Sequence, residues 1–337
     1  MSVSIPIRAA VIGCGHIGTE HARFLAASDR SVLKWVCDVS ESAARNLASA
    51  TGATAATDPS ALFEDHEVDA VWICTHHDSH RPLAVRGAGA GKHLFIEKPL
   101  ALTLDDAGAI AAAVESAGVR ATPGFTFRFY PAICAARSFM PHPLMTLAHV
   151  VDDEWPADHW ANHPTRGGGN VLSEGVHILD LVTHLHRGPP VRIYAEGGRF
   201  MHPDALHPDN AVLTLTFPDG SIAAVAIGES GQPPLTSKFG LQMSDGRRSL
   251  NLHHRLTALE MRGPDGTSNY REPAETGINA INEAFLGSLI EGSAPTASVR
   301  DGLRATALVL AAFESIERRA PVALTHPPYA AAGGHPG

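Results

Sequence analysis

A carboxylate, an amine and a proline stand in a row at Glu97-Lys98-Pro99, where the apolar run HLFI ends. An amine held at the end of a buried strand can bind a hydroxyl and relay its proton, provided the surroundings favour its neutral form. Pro99 narrows the backbone freedom of the lysine before it. A second chemical feature comes early in the chain, where Gly13, Gly15 and Gly18 are spaced G-x-G-x-x-G in VIGCGHIG. The first glycine permits a tight turn and the second lets the backbone approach a pyrophosphate. The third lets a helix pack close to a strand, and that helix's N-terminus favours phosphate charge. With His16 and Ile17 these glycines form the expected cofactor loop. Asp38 follows about 20 residues later, where an acid binds ribose hydroxyls. Its charge repels the extra phosphate of NADP, and no arginine follows it in CDVSES, so the spacing favours NAD. Arg45 or a loop residue stays within reach of such a phosphate.

These residues need elements to position them. From Arg8 the chain alternates short apolar runs with helix-like segments: RAAVIG, HIGTEHARFLAAS, SVLKWVCDVS, ESAARNLASATG, DAVWICT, HRPLAVRGAGAG, HLFIEKP and LDDAGAIAAAVESAG. Such alternation predicts a parallel sheet covered on both faces, an α/β dinucleotide-binding domain over residues 1–123. A dinucleotide across that sheet turns the carboxyl ends of the strands toward nicotinamide, so Glu97 and Lys98 are expected beside the reactive ring. After TPGFTFRFYPAI the pattern changes to successive strands with Pro, Asp and Gly turns, including the hairpin signal FPDGS. Residues 124–325 therefore read as a mostly antiparallel sheet with a helix near Gly175–His186. Two more helices are expected around Asn279–Glu291 and Asp301–Arg319, and a loose tail over 326–337.

The net charge of −9 and the lack of a Lys/Arg cluster argue against a nucleic-acid partner. No apolar run approaches the roughly 18 residues that span a bilayer, and no basic-then-apolar leader opens the chain. Cys14, Cys37, Cys74 and Cys134 match neither CxxC pairs nor a disulfide framework, which suits reduced thiols and a cytoplasmic protein.

Taken together, VIGCGHIG, Asp38, EKPL, GFTFRFYP, GGGNVLSEGVHILDL and the late DGLRA resemble the Gfo/Idh/MocA family of glucose–fructose oxidoreductase, inositol dehydrogenase and relatives. The resemblance runs in order from about Arg8 to Val322. It implies a Rossmann domain, then an α/β domain whose open sheet forms homodimers or homotetramers, and NAD(P)-linked chemistry on sugars or cyclitols. It implies that Lys98 is the catalytic, substrate-orienting amine and that His177 is the proton acceptor. The family often carries Asp-x-x-x-His here, but Ser173 occupies the aspartate position and Glu174 follows it. Glu174 is then a candidate helper, although one residue of displacement turns a helical side chain by about 100°. By the same resemblance Thr75 and His80 line the nucleotide.

His76 and His77 meet cofactor or substrate, or simply stand on a polar loop. The loop DDEWPADHWANHPTRGGG offers Trp155, His159, Trp160, His163 and Arg166, a mixture that suits a sugar's faces and hydroxyls or closes a domain boundary. Trp160 is the favoured substrate contact there. Arg128 suits either substrate contact or a structural ion pair. His177, Asp180 and His184 share a helix face and His76-x-x-x-His80 has helical metal spacing, but neither set is expected to hold a metal. The composite expectation is an NAD-dependent oxidoreductase acting on a secondary alcohol of a sugar, cyclitol or glycoside. Its rivals are a redox-neutral glycosidase or epimerase that oxidises transiently, and an NAD-binding regulator without activity.

Overall fold

The computed structural model describes residues 6–163, 165–271, 277–326 and 328–329. Most of the tail expected from residue 326 thus lies outside the described residues. The chain divides into two compact units, residues 1–126 with 276–303 and residues 127–275 with 304–337.

The first unit alternates β1 (Ile7–Ile12), α1 (His16–Ala27), β2 (Ser31–Cys37), α2 (Glu41–Thr51), β3 (Thr54–Ala56), α3 (Ser60–Glu64), β4 (Ala70–Ile73), α4 (His80–Gly89), β5 (His93–Ile96), α5 (Leu104–Ala117) and β6 (Ala121–Pro123). The strands form one parallel sheet in the order β3-β2-β1-β4-β5-β6. Ala9–Ile12, Ala70–Ile73 and Leu94–Ile96 are buried on both faces, which is why these strands read as continuous apolar runs. Helix ends follow local chemistry. Thr103 accepts the Asp106 N–H at 3.1 Å and its hydroxyl returns a bond to the Asp106 carboxylate at 2.8 Å, so α5 starts there. Left-handed Gly118 ends it.

The second unit holds α6 (Pro131–Phe139), β7 (Met145–Val151), α7 (Asn170–Leu185), β8 (Arg192–Gly198), β9 (Asn210–Thr216), β10 (Ile222–Gly228), β11 (Phe239–Ser244), β12 (Ser249–His253), β13 (Ala258–Gly263) and β14 (Gly266–Arg271). The helix α8 (Ile278–Glu291) then belongs to the first unit, whereas its sequence position had suggested the C-terminal domain. Its side chains explain this: Phe285 packs edge-on to Trp72 and Phe95, and Asn282 accepts the Trp72 indole N–H at 2.8 Å. Finally α9 (Val299–Arg318) precedes β15 (Val322–Ala323).

The second sheet runs β14-β13-β12-β11-β7-β10-β9-β8-β15, antiparallel except where β7 meets β10. The expected pairing of a Rossmann sheet with a mostly antiparallel one is therefore the fold observed. On β7, Thr146, Ala148 and Val150 are buried while Met145 and Leu147 are exposed, so one face of this sheet is covered and the other open. Helix α7 lies on the covered side and is buried almost throughout. It begins at Asn170, five residues before the expected Gly175. That glycine is a packing position inside the helix, since a Cβ there would stand 3.2–3.3 Å from Val309 and Ile227. Among the described residues, no helix is long and apolar enough to cross a membrane.

Candidate active site

In the first unit, β1 ends in a turn that only glycine can make. Gly13 has φ +98°, and a Cβ on it would lie 2.3 Å from the Cys74 carbonyl oxygen. A Cβ on Gly18 would lie 1.8 Å from the Gly13 oxygen, so α1 could not pack this close with any other residue. Nothing stands within 4 Å of the corresponding point at Gly15. That open backbone, together with an α1 N-terminus that no side chain caps, fits a pyrophosphate. His16 and Ile17 begin the helix beside it. Asp38 is fixed at the end of β2 by accepting the Cys14 N–H at 2.7 Å and the Ser40 N–H at 2.8 Å. Its carboxylate thus adjoins the glycine loop, as ribose binding requires. Arg45 is ion-paired with Glu41 on the same helix at 2.6 Å, both side chains exposed.

Thr75 opens the loop after β4, and its hydroxyl oxygen accepts from Ser79 at 2.6 Å. His80 is fully buried, with Nδ1 3.0 Å from the Pro99 carbonyl and Nε2 3.2 Å from the Thr75 carbonyl. Burial lowers its pKa, against the two carbonyls that raise it. A neutral His80 donates to one of these two carbonyls, and its ring packs between the Thr75 and Pro99 segments. His77 is buried 5.8 Å from the His80 ring, and His76 remains partly exposed.

Lys98 stands two residues beyond the end of β5, half-buried, and its backbone N–H donates to Glu97 at 3.1 Å. The neighbouring glutamate is the best-supported group in this unit. Its second oxygen lies 3.1 Å from His21 Nε2, whose Nδ1 lies 3.0 Å from the Asn282 amide oxygen, and that oxygen accepts from Trp72. A Cβ on Gly124 would lie 2.8 Å from both Glu97 oxygens. Burial pushes the Glu97 pKa up, but the His21 hydrogen bond, the His21 charge and the Lys98 charge outweigh it and hold the carboxyl below its usual range. Sequence reading missed His21 and Asn282, which stand 261 positions apart. The only local signal was a histidine on the buried side of α1.

In the second unit α7 carries Ser173, Glu174, His177 and Asp180, all buried. The His177 ring is 4.8 Å from Phe127, which is 4.9 Å from Phe239, so an aromatic wall shields the imidazole. Glu174, one turn earlier, lies 3.5 Å from Lys238 Nζ, and that amine is 2.5 Å from Asp152. The Trp155 indole donates to the same Asp152 carboxylate at 3.2 Å. Glu174 is therefore part of a lysine-centred cluster, a second partner that the sequence did not signal. Arg128 forms a two-pronged pair with Asp180, at 2.8 and 2.5 Å, with both side chains buried. Of the two roles open to Arg128, the ion pair is the one observed. Trp160 is partly exposed beside His159, which also contacts Trp155. Among the described residues, no group of three or more His, Cys, Asp or Glu side chains is arranged to hold a metal.

Comparison with known proteins bears on the family and the fold. Residues 7–125 match the model described as "Oxidoreductase family, NAD-binding Rossmann fold", and residues 143–247 match the GFO/IDH/MocA C-terminal domain. Myo-inositol 2-dehydrogenase of Thermotoga maritima is 27% identical over 329 residues, covering 94% of this chain and 98% of the relative. Inositol 2-dehydrogenase of Rhizobium meliloti is 26% identical over 333 residues, covering 94% and 99%. A levoglucosan dehydrogenase solved with NADH and L-sorbose shares the fold, with TM-score 0.86 and 20% identity over 94% of this chain and 98% of that one.

Proposed function

Because the chain belongs to the Gfo/Idh/MocA oxidoreductase family, whose N-terminal domain is an NAD-binding Rossmann fold, we propose that it transfers hydride between NAD and a secondary alcohol or ketone of a sugar, cyclitol or glycoside. When bound, the nicotinamide supplies or accepts that hydride. Lys98 binds the reacting hydroxyl and His177 takes up its proton as the carbon is oxidised, each returning the favour in the reverse direction. Glu97, fixed by His21, sets the position and the electrostatic setting of the amine. Phe127 and Phe239 keep water from the imidazole. Asp152, Glu174 and Lys238 offer acceptors and a donor suited to a polyhydroxyl ring, with Trp160 as a stacking face. The observation that carries this reading is Lys98 at the carboxyl end of β5 in the sheet that also bears the glycine loop and Asp38.

The similarity to inositol dehydrogenases supports a cyclitol as the first substrate to try. Incubation with NAD and a panel of cyclitols and sugars should produce net NADH, read by absorbance, for at least one compound. Product formed without net NADH would instead favour the transient-oxidation route, and NAD binding without turnover of any compound would count against catalysis. We further propose that the open sheet face, with Met145, Leu147, Val212 and Ile222 exposed, joins copies of the chain into a homodimer or homotetramer. Sedimentation analysis should then find two or four chains.

A further inference from the structure

The second unit contains a small cavity away from His177, where the amino end of α7 meets the loop 199–209 and the end of β10. Asn170, His202, Asp209 and Glu229 line it, and it has about 10 Å³ of room for a water-sized sphere, enough for a single small occupant. Asn170 is 1% exposed, and neither atom of its amide has a hydrogen-bond partner in the protein. Either amide orientation therefore leaves an unpaired oxygen at a cavity wall. His202 Nε2 and Glu229 Oε1 lie 3.2 Å apart, yet neither has a hydrogen-bond partner. The two groups thus face each other at ion-pair distance with no hydrogen bond between them. Two donors sharing one ion at about 2.1 Å stand roughly 3.0–3.4 Å apart, the separation seen here.

We infer that Asn170, His202 and Glu229 form a site for one first-row divalent cation such as Mn2+ or Zn2+. An imidazole nitrogen with carboxylate and amide oxygens is a mixed set that suits these ions rather than a soft thiophilic metal. Each donor has outer support of the kind metal ligands need. The other Glu229 oxygen accepts the Trp155 N–H at 3.0 Å. The Asp209 carboxylate accepts the Phe200, Met201 and His202 N–H groups at 2.9, 2.9 and 2.7 Å, which fixes the backbone that presents the imidazole. Gly169, with φ +83°, sets the turn that delivers Asn170. The positive end of α7 opposes a cation here, and the Glu229 and Asp209 carboxylates offset it. The ion would lock the loop 199–209 to α7.

Equilibrium dialysis of the chelator-treated full chain against Mn2+ and Zn2+, each alone, reads the result without any assay of turnover. The expected outcome is one ion per chain, with affinity reduced at least about 10-fold in His202→Ala and in Glu229→Gln. Asn170→Ala, which leaves the His–Glu pair intact, should weaken binding as well, and far-UV circular dichroism checks that all three variants are folded. No stoichiometric ion, or an ion held equally well by the folded variants, would overturn the site and leave the cavity to water.

Discussion

The two halves of the proposed active site are built on different principles. Around Lys98 the supports are hydrogen bonds that reach into the core of a single sheet: Glu97, His21, Asn282 and Trp72 form one chain of contacts. Around His177 the supports are ion pairs and aromatic rings drawn from separate strands and loops, with Arg128–Asp180 on one side and Asp152–Lys238–Glu174 on the other. The first half serves a cofactor whose shape does not change, and its geometry is fixed by turns and backbone. In the proposed reading the second half serves the substrate, through buried charged groups on α7 and the segments packed against it. Ser173, where the family pattern often has aspartate, leaves no carboxylate at that position of α7. The carboxylate one residue later is held by Lys238 instead.

This contrast can be tested by breaking one support at a time. Arg128→Ala should have the largest effect on stability, because it removes the two-pronged cationic partner of the buried Asp180 carboxylate. A loss of about 3–5 kcal/mol is expected, read by denaturant unfolding of the second unit. An unchanged midpoint would mean that α7 does not depend on the pair. Asn282→Ala leaves the Trp72 indole and the His21 ring without their buried partner, with an expected loss of about 1–3 kcal/mol in the first unit. It should also reduce turnover through Glu97 while dinucleotide affinity stays the same. Glu174→Gln should have the smallest effect. If the glutamate chiefly balances Lys238, turnover falls by less than about 10-fold, whereas a loss of about 10²-fold or more would give it the role of acid–base group.

Legibility followed the same division. The glycine loop, Asp38 and the lysine after β5 were readable because their chemistry lies in spacing within a few residues of a strand end. The beginning of α7 lies five residues before the expected Gly175, a position inside the helix that packs close to Val309 and Ile227. Strand β14 carries no strand signal in the sequence, because it is exposed along its whole length and has no apolar alternation. The Arg128–Asp180 pair spans 52 positions and Glu97 depends on Asn282 far down the chain, so periodicity carries no trace of either. Lys238 was legible only as an isolated basic residue before a strand. Its importance comes from two carboxylates that β7 and α7 bring to it.

The most direct measurement concerns Lys98. In Lys98→Ala, NADH affinity measured by fluorescence titration should match the unaltered protein, while turnover of the substrate that gives the highest rate falls by at least about 10²-fold. Near-normal turnover with intact NADH binding would contradict the account, since the amine at the end of β5 would then have no part in the chemistry.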